Sequence, residues 1–63
     1  MVIKLKEYRE RKGLSVGVLA ERTGLSPDVI SEIESGTAEV TTGRIMRRIA
    51  EALGVKVSDI FFN

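Results

Sequence analysis

Residues 13–36 read GLSVGVLAERTGLSPDVISEIESG, and their punctuation decides the fold. Gly13-Leu14-Ser15 recurs eleven residues later as Gly24-Leu25-Ser26. Each glycine suits the left-handed residue that closes a helix, and each serine suits the N-cap of the next one. Each leucine lies five residues before another aliphatic, Leu14 before Leu19 and Leu25 before Ile30, which is the spacing of a hydrophobic staple. Pro27 falls at a first helical position, where its missing N–H costs nothing. Gly36 closes the third unit. The stretch predicts two short helices, about 16–23 and 27–35, joined by Thr23-Gly24-Leu25-Ser26.

Helical periodicity continues on both sides. A first helix, about 3–12, puts Leu5, Tyr8 and the stem of Arg9 on one face. In the second, Val16, Leu19, Ala20 and Thr23 form the buried rows, and Val18 falls outside them. The third buries Val29, Ile30 and Ile33 and turns Asp28, Ser31, Glu32 and Ser35 outward. A fourth, about 43–53 after Thr41 or Thr42 as cap, buries Met46, Ile49, Ala50 and Leu53, and shows Arg44, Arg47, Arg48 and Glu51. Gly54 ends it. Val55 and Val57 lead to Ser58, the expected cap of a last turn from Asp59 to Phe62. No alternation of strand period extends beyond about five residues. The expected fold is all-α, with five short helices in one domain over 1–63 and the helix-turn-helix proper at 15–35.

Composition narrows the function. The 63 residues hold ten Lys or Arg and nine Asp or Glu, with 43% hydrophobic residues, which rules against disorder. Without Cys there is no disulfide and no thiolate zinc site, and without His the commonest general base and neutral metal ligand are missing. Neither metal nor cofactor is expected. The longest apolar stretch, Val16 to Ala20, spans no bilayer, and the charged start from Met1 to Lys12 is no signal peptide, so the expected location is cytoplasmic. No enzyme is expected either. The hydroxyls have no partner base, no glycine-rich phosphate loop occurs, and the carboxylates show no pairing for acid–base work. Charge is unevenly spread: residues 1–12 carry a net of +3, residues 13–41 a net of −4 and residues 42–63 a net of +2.

Two short helices joined by a glycine-containing turn form a helix-turn-helix, whose second helix can enter the major groove of DNA. Ala20 is small where the two helices would cross. The same pattern also fits an ordinary helical hairpin in a bundle. The residues Leu5, Arg9, Gly13-Leu14-Ser15, Leu19-Ala20-Glu21, Gly24-Leu25-Ser26, Ile30-Ser31, Ile33-Glu34-Ser35-Gly36, Ile49-Ala50 and Ala52-Leu53-Gly54-Val55 resemble the lambda-repressor/Cro-type (XRE-like) helix-turn-helix domain family. The resemblance covers about 5–61. It implies a five-helix domain, often dimeric, that binds operator DNA through its third helix. It also implies an architectural pair between Arg9 and Glu34.

The departures from that family concern its DNA-contacting positions. Val16 stands where the family commonly has a phosphate-reaching Gln, and Gly17 and Val18 remove the Ser-x-x-Glu capping box. Pro27, Asp28 and Glu32 stand at positions that read bases, and the loop after Gly36 is Thr37-Ala38-Glu39-Val40 rather than basic. Affinity for duplex DNA comes largely from Lys and Arg releasing counterions, and an acidic face supplies none. Asp28 complements the helix dipole, Glu32 fits a solvated face, and either carboxylate can instead accept from a cytosine amino group.

Ser15, Ser26, Ser31 and Ser35 are the hydroxyl candidates for phosphate or base contacts. Lys12, Arg22 and Arg44 are the candidate phosphate anchors. Phe61 is expected in the core. Phe62 would then point outward, and together they are the candidate contact of a homodimer. The leading expectation is a sequence-specific, repressor-like regulator binding double-stranded DNA. The competing one is a protein-interaction module, antitoxin- or anti-repressor-like, that kept the fold without most DNA contacts.

Overall fold

The structure, a computed structural model, describes residues 1–38 and 41–63. In chain order it contains β1 (Val2–Ile3), α1 (Leu5–Arg11), α2 (Val16–Thr23), α3 (Pro27–Ser35), α4 (Gly43–Leu53), α5 (Val57–Ile60) and β2 (Phe61–Phe62). The local signals act as the sequence predicts. Ser15, Ser26 and Thr42 are the N-caps of α2, α3 and α4, and each side-chain oxygen accepts from the backbone N–H three residues on, at 3.1, 3.2 and 3.2 Å. Such a cap satisfies one of the orphan donors of a helix start. Gly24 closes α2 at φ 73°, a left-handed conformation that a side chain would strain. Past it, the Leu25 N–H donates back to the Ala20 carbonyl at 3.2 Å and completes the helix end.

The core draws on every helix: Leu5 from α1, Leu19 and Ala20 from α2, Ile30 and Ile33 from α3, Ile49, Ala50 and Leu53 from α4, Ile60 from α5, with Phe61 beside it. Burying one such Leu or Ile contributes roughly 1.5–3 kcal/mol. α2 packs against both α3 and α4, α4 carries α5, and α1 leans on α3. Leu14 and Leu25 pack half-buried against this core, so the loop residues that precede the caps fix the angle at which each helix starts. Val18 remains exposed, and Val29 and Met46 are half-buried. No helix among the described residues is long and apolar enough to cross a membrane. Glu39 and Val40, the end of the loop singled out in the sequence, lie outside the described residues.

Both chain ends differ from the sequence expectation. α1 begins at Leu5 rather than near residue 3, and α5 runs from Val57 with Lys56 as N-cap rather than from a cap at Ser58. The Asp59 carboxylate accepts from the Lys56 N–H at 2.9 Å, a capping role that fixes the earlier start. Phe61 and Phe62 leave the helix and pair antiparallel with β1, Ile3 opposite Phe61 and Val2 opposite Phe62. The Lys4 N–H donates to the Ile60 carbonyl at 2.8 Å and continues the link. A pair this short is not stable alone. It forms because Leu5 and Ile60, its two neighbours along the chain, are anchored in the core. Phe62 therefore does not point freely outward: it is half-buried, with the Lys4 ammonium 5.6 Å from its ring centre.

Arg9 ties three segments together. Its Nε donates to Glu34 Oε2 at 2.6 Å and its Nη2 to Glu34 Oε1 at 3.2 Å, a two-pronged pair between α1 and α3. Its Nη1 donates to the Leu14 carbonyl at 2.8 Å, in the turn before α2. The two side chains are 11% and 10% exposed. The hydrogen bond to Glu34 is the chief reason the Arg9 guanidinium is held above its ordinary pKa, with burial opposing it. A raised value means that Arg9's contribution is complete below the unfolded pKa and is lost only as pH rises through the folded one. That lies beyond any pH the fold meets. Removing one partner of a buried pair costs about 3–5 kcal/mol because the other charge is stranded. Glu34→Gln is expected to cost about 3 kcal/mol, the lower end of that range. Arg9→Met should cost at least as much, since it also orphans the Leu14 carbonyl. Arg9→Lys should recover less than half of the loss, because an ammonium cannot reproduce the fork. Denaturant unfolding of the three variants checks this.

Candidate nucleic-acid interface

The site is built on α2, its turn and α3. Ala20 sits where α2 meets its neighbours and is 4% exposed, so the helices approach closely. The buried Thr23 hydroxyl donates to the Leu19 carbonyl at 2.9 Å and accepts from the Leu25 N–H at 3.4 Å, which closes the turn, and no buried side-chain polar atom among the described residues lacks a partner. Ile30 and Ile33 lock the inner face of α3. Asp28, Ser31, Glu32 and Ser35 are all exposed on its outer face, at i, i+3, i+4 and i+7. Helical spacing puts these four in one row.

The hydroxyls divide sharply. Ser15 and Ser26 are engaged as caps. Ser35 Oγ donates to the Glu32 carbonyl at 3.1 Å and lies 2.8 Å from the Thr37 hydroxyl, so it closes the end of α3. Ser31 is exposed and, alone of the four candidate serines, makes no hydrogen bond among the described residues. Val16, at the start of α2, is half-buried against the core and offers no polar atom to a ligand. Pro27 is exposed at the first position of α3.

The candidate anchors are spread over three helices. Lys12 follows the last residue of α1, Arg22 lies in the last turn of α2, and Arg44 in the first turn of α4; all three are exposed. An approach that the sequence does not signal brings α4 near the turn: Arg48 Nη1 lies 3.8 Å from the place a side chain at Gly24 would occupy. Periodicity places Arg48 on the outside of α4, but only the packing of α4 on α2 brings its guanidinium over the turn that leads into α3.

This arrangement, two capped helices at a glycine turn with the second presenting its outer row to solvent, defines a helix-turn-helix domain. Residues 1–60 match the helix-turn-helix domain family, and the chain belongs to it. The HTH-type transcriptional regulator SlrR of Bacillus subtilis (strain 168) is 30% identical over 57 residues, which cover 90% of this chain and 38% of the regulator. Among solved structures, one in the SinR protein/SinI protein complex superposes with a TM-score of 0.82 at 28% identity, over 89% of this chain and 54% of that one. The clp gene regulator ClgR from Corynebacterium glutamicum gives 0.80 at 36% identity, over 87% and 57%. The chain thus spans well under two thirds of each of these relatives.

The two kinds of serine are separable by stability. Ser26→Ala removes a cap and is expected to cost about 1 kcal/mol. In a domain of this size that lowers Tm by roughly 4–8 °C. Ser31→Ala should stay within about 0.5 kcal/mol of the parent. Thermal melts followed by circular dichroism distinguish them.

Proposed function

We propose that the domain binds double-stranded DNA through α3 and regulates transcription, acting in the cytoplasm as a homodimer. The observation that carries this reading is the outer row of α3: four polar positions at helical spacing held clear of the core on a helix whose inner face is locked. The relative SlrR, named a transcriptional regulator, supports the same class of function. In this reading Ser31 meets a base edge or a phosphate, and Asp28 and Glu32 either accept from cytosine amino groups or oppose the phosphate field. The homodimer contact lies at the small sheet. There Val2, 44% exposed, pairs with Phe62 and follows Met1, 75% exposed, whereas Phe61 is in the core and unavailable.

A second reading has an observation in its favour. The neighbour SinR was solved as a complex with another protein, SinI. The acidic row of α3 has the charge to meet a basic protein surface, as an antitoxin- or anti-repressor-like module would.

Titration of a mixed-sequence duplex at low and moderate salt separates the two. A DNA binder is expected to bind at low salt with log K falling linearly in log salt. Asp28→Gln with Glu32→Gln should tighten binding to mixed sequence, most at low salt, because two repulsive charges are removed. Loss at one operator alone would show cytosine reading instead. A protein-interaction module would show no duplex binding in either form. Deleting Phe62 and Asn63 should shift sedimentation toward monomer with helicity nearly unchanged, and unchanged association would move the interface to Val16 and Val18.

A further inference from the structure

The first three helices each place some charge in favour of their dipoles, Glu7 and Arg11 on α1, Arg22 on α2 and Asp28 on α3, while Glu32 and Glu34 near the end of α3 oppose its own. α4 places none in favour. It has no acid in its first turn and no base in its last, and Arg44 stands at its positive end with Glu51 near its negative one. Arg44, Arg47 and Arg48 form one exposed row at i, i+3 and i+4. Like charges at i and i+4 oppose each other, and a cation at a helix N-terminus opposes the dipole. The only ion pair among the described residues is Arg9–Glu34, and Glu51, the one carboxylate of α4, makes no such contact with the row. A local rule broken on the longest and otherwise well-capped helix marks a functional surface.

The partner is an anion that all three guanidiniums can meet together. From Arg44 to Arg48 the helix rises about 6 Å. Phosphates recur about every 3.4 Å of axis along a DNA strand, so the row meets neighbouring phosphates, and a planar guanidinium fork fits each. A polyanion also releases condensed counterions on contact, a gain that scattered carboxylates on a protein do not provide. The row is not remote from α3, since Arg48 lies over the turn at Gly24. The outer face of α3, by contrast, has two carboxylates and no cation.

We infer that the outer face of α4 is a phosphate-backbone contact surface, in which Arg44, Arg47 and Arg48 supply most of the domain's electrostatic affinity for duplex DNA. The inference rests on the reading of the domain as a DNA binder and moves the affinity from α3 to α4. Arg47 and Arg48 thereby gain a role that their places on a solvent-facing helix surface do not signal.

The test measures log K against log salt for a labelled mixed-sequence duplex from about 50 to 200 mM salt. Arg44→Gln and Arg47→Gln are each expected to make the negative slope shallower by about 0.9, and the double variant by about twice that. Lys6→Gln with Arg11→Gln removes the same charge from α1 and should leave the slope unchanged. Equal changes in both double variants would mean that net charge alone acts, and would overturn the inference. Parental slopes in the α4 variants, with parental DNA binding intact, would overturn it while leaving the DNA reading standing. No duplex binding by the parent at about 50 mM would overturn the DNA reading itself. Binding of polyglutamate through Arg47 in that case would assign the row to an acidic protein surface. The double α4 variant should melt at or above the parental temperature, because repulsion is relieved. A lower melting temperature would make the row structural and overturn the inference.

Discussion

Three segments meet at one guanidinium. Arg9 leaves α1, grips both oxygens of Glu34 at the end of α3, and donates to the Leu14 carbonyl just before α2. The same two residues are joined a second time, since the Leu14 N–H donates to the Arg9 carbonyl at 3.1 Å. α2 and α3 pack on each other, with Leu19, Ile30 and Ile33 buried in the core. To that packing the pair adds a forked, directional contact with little solvent access. The relative placement of the two helices of the helix-turn-helix thus depends on a side chain that belongs to neither. α1 leans on α3, and α2 carries α4, so the rest of the bundle takes its position from that frame.

Rigidity behind α3 determines what its outer face can offer. The polar groups of the region are mostly engaged in holding the helices: Ser15 and Ser26 at the starts, Thr23 in the turn, Ser35 with Thr37 at the end of α3. What remains for a ligand is Ser31, flanked by the carboxylates of Asp28 and Glu32. That is a surface suited to selection rather than attraction. In the proposed DNA reading attraction has to come from charge, and the unpaired arginines of the described chain are concentrated on α4, arranged against the preference of the helix that bears them. The division of labour follows from electrostatics. A positive field acts over about a Debye length, some 8–10 Å at moderate salt, whereas a hydroxyl or carboxylate acts only at contact.

The sequence by itself determined the helices and their order. Caps, staples and glycine stops are interactions among residues within about five positions of each other, so Ser15, Ser26, Thr42 and Gly24 act wherever the chain folds. Helical period likewise marked Leu19, Ile30, Ile33, Ile49 and Leu53 as core, and the outer row of α3 as exposed. The pairing of Arg9 with Glu34 came from the family resemblance, with the apolar setting of Arg9 as its only local sign. Tertiary structure alone decided the rest. Val2-Ile3 and Phe61-Phe62 become strands because the core brings the two ends together, and no local signal encodes a partner about sixty residues away. Arg48 reaches the turn at Gly24 because α4 docks on α2. Period tells which way a side chain faces, and only packing tells what it meets there.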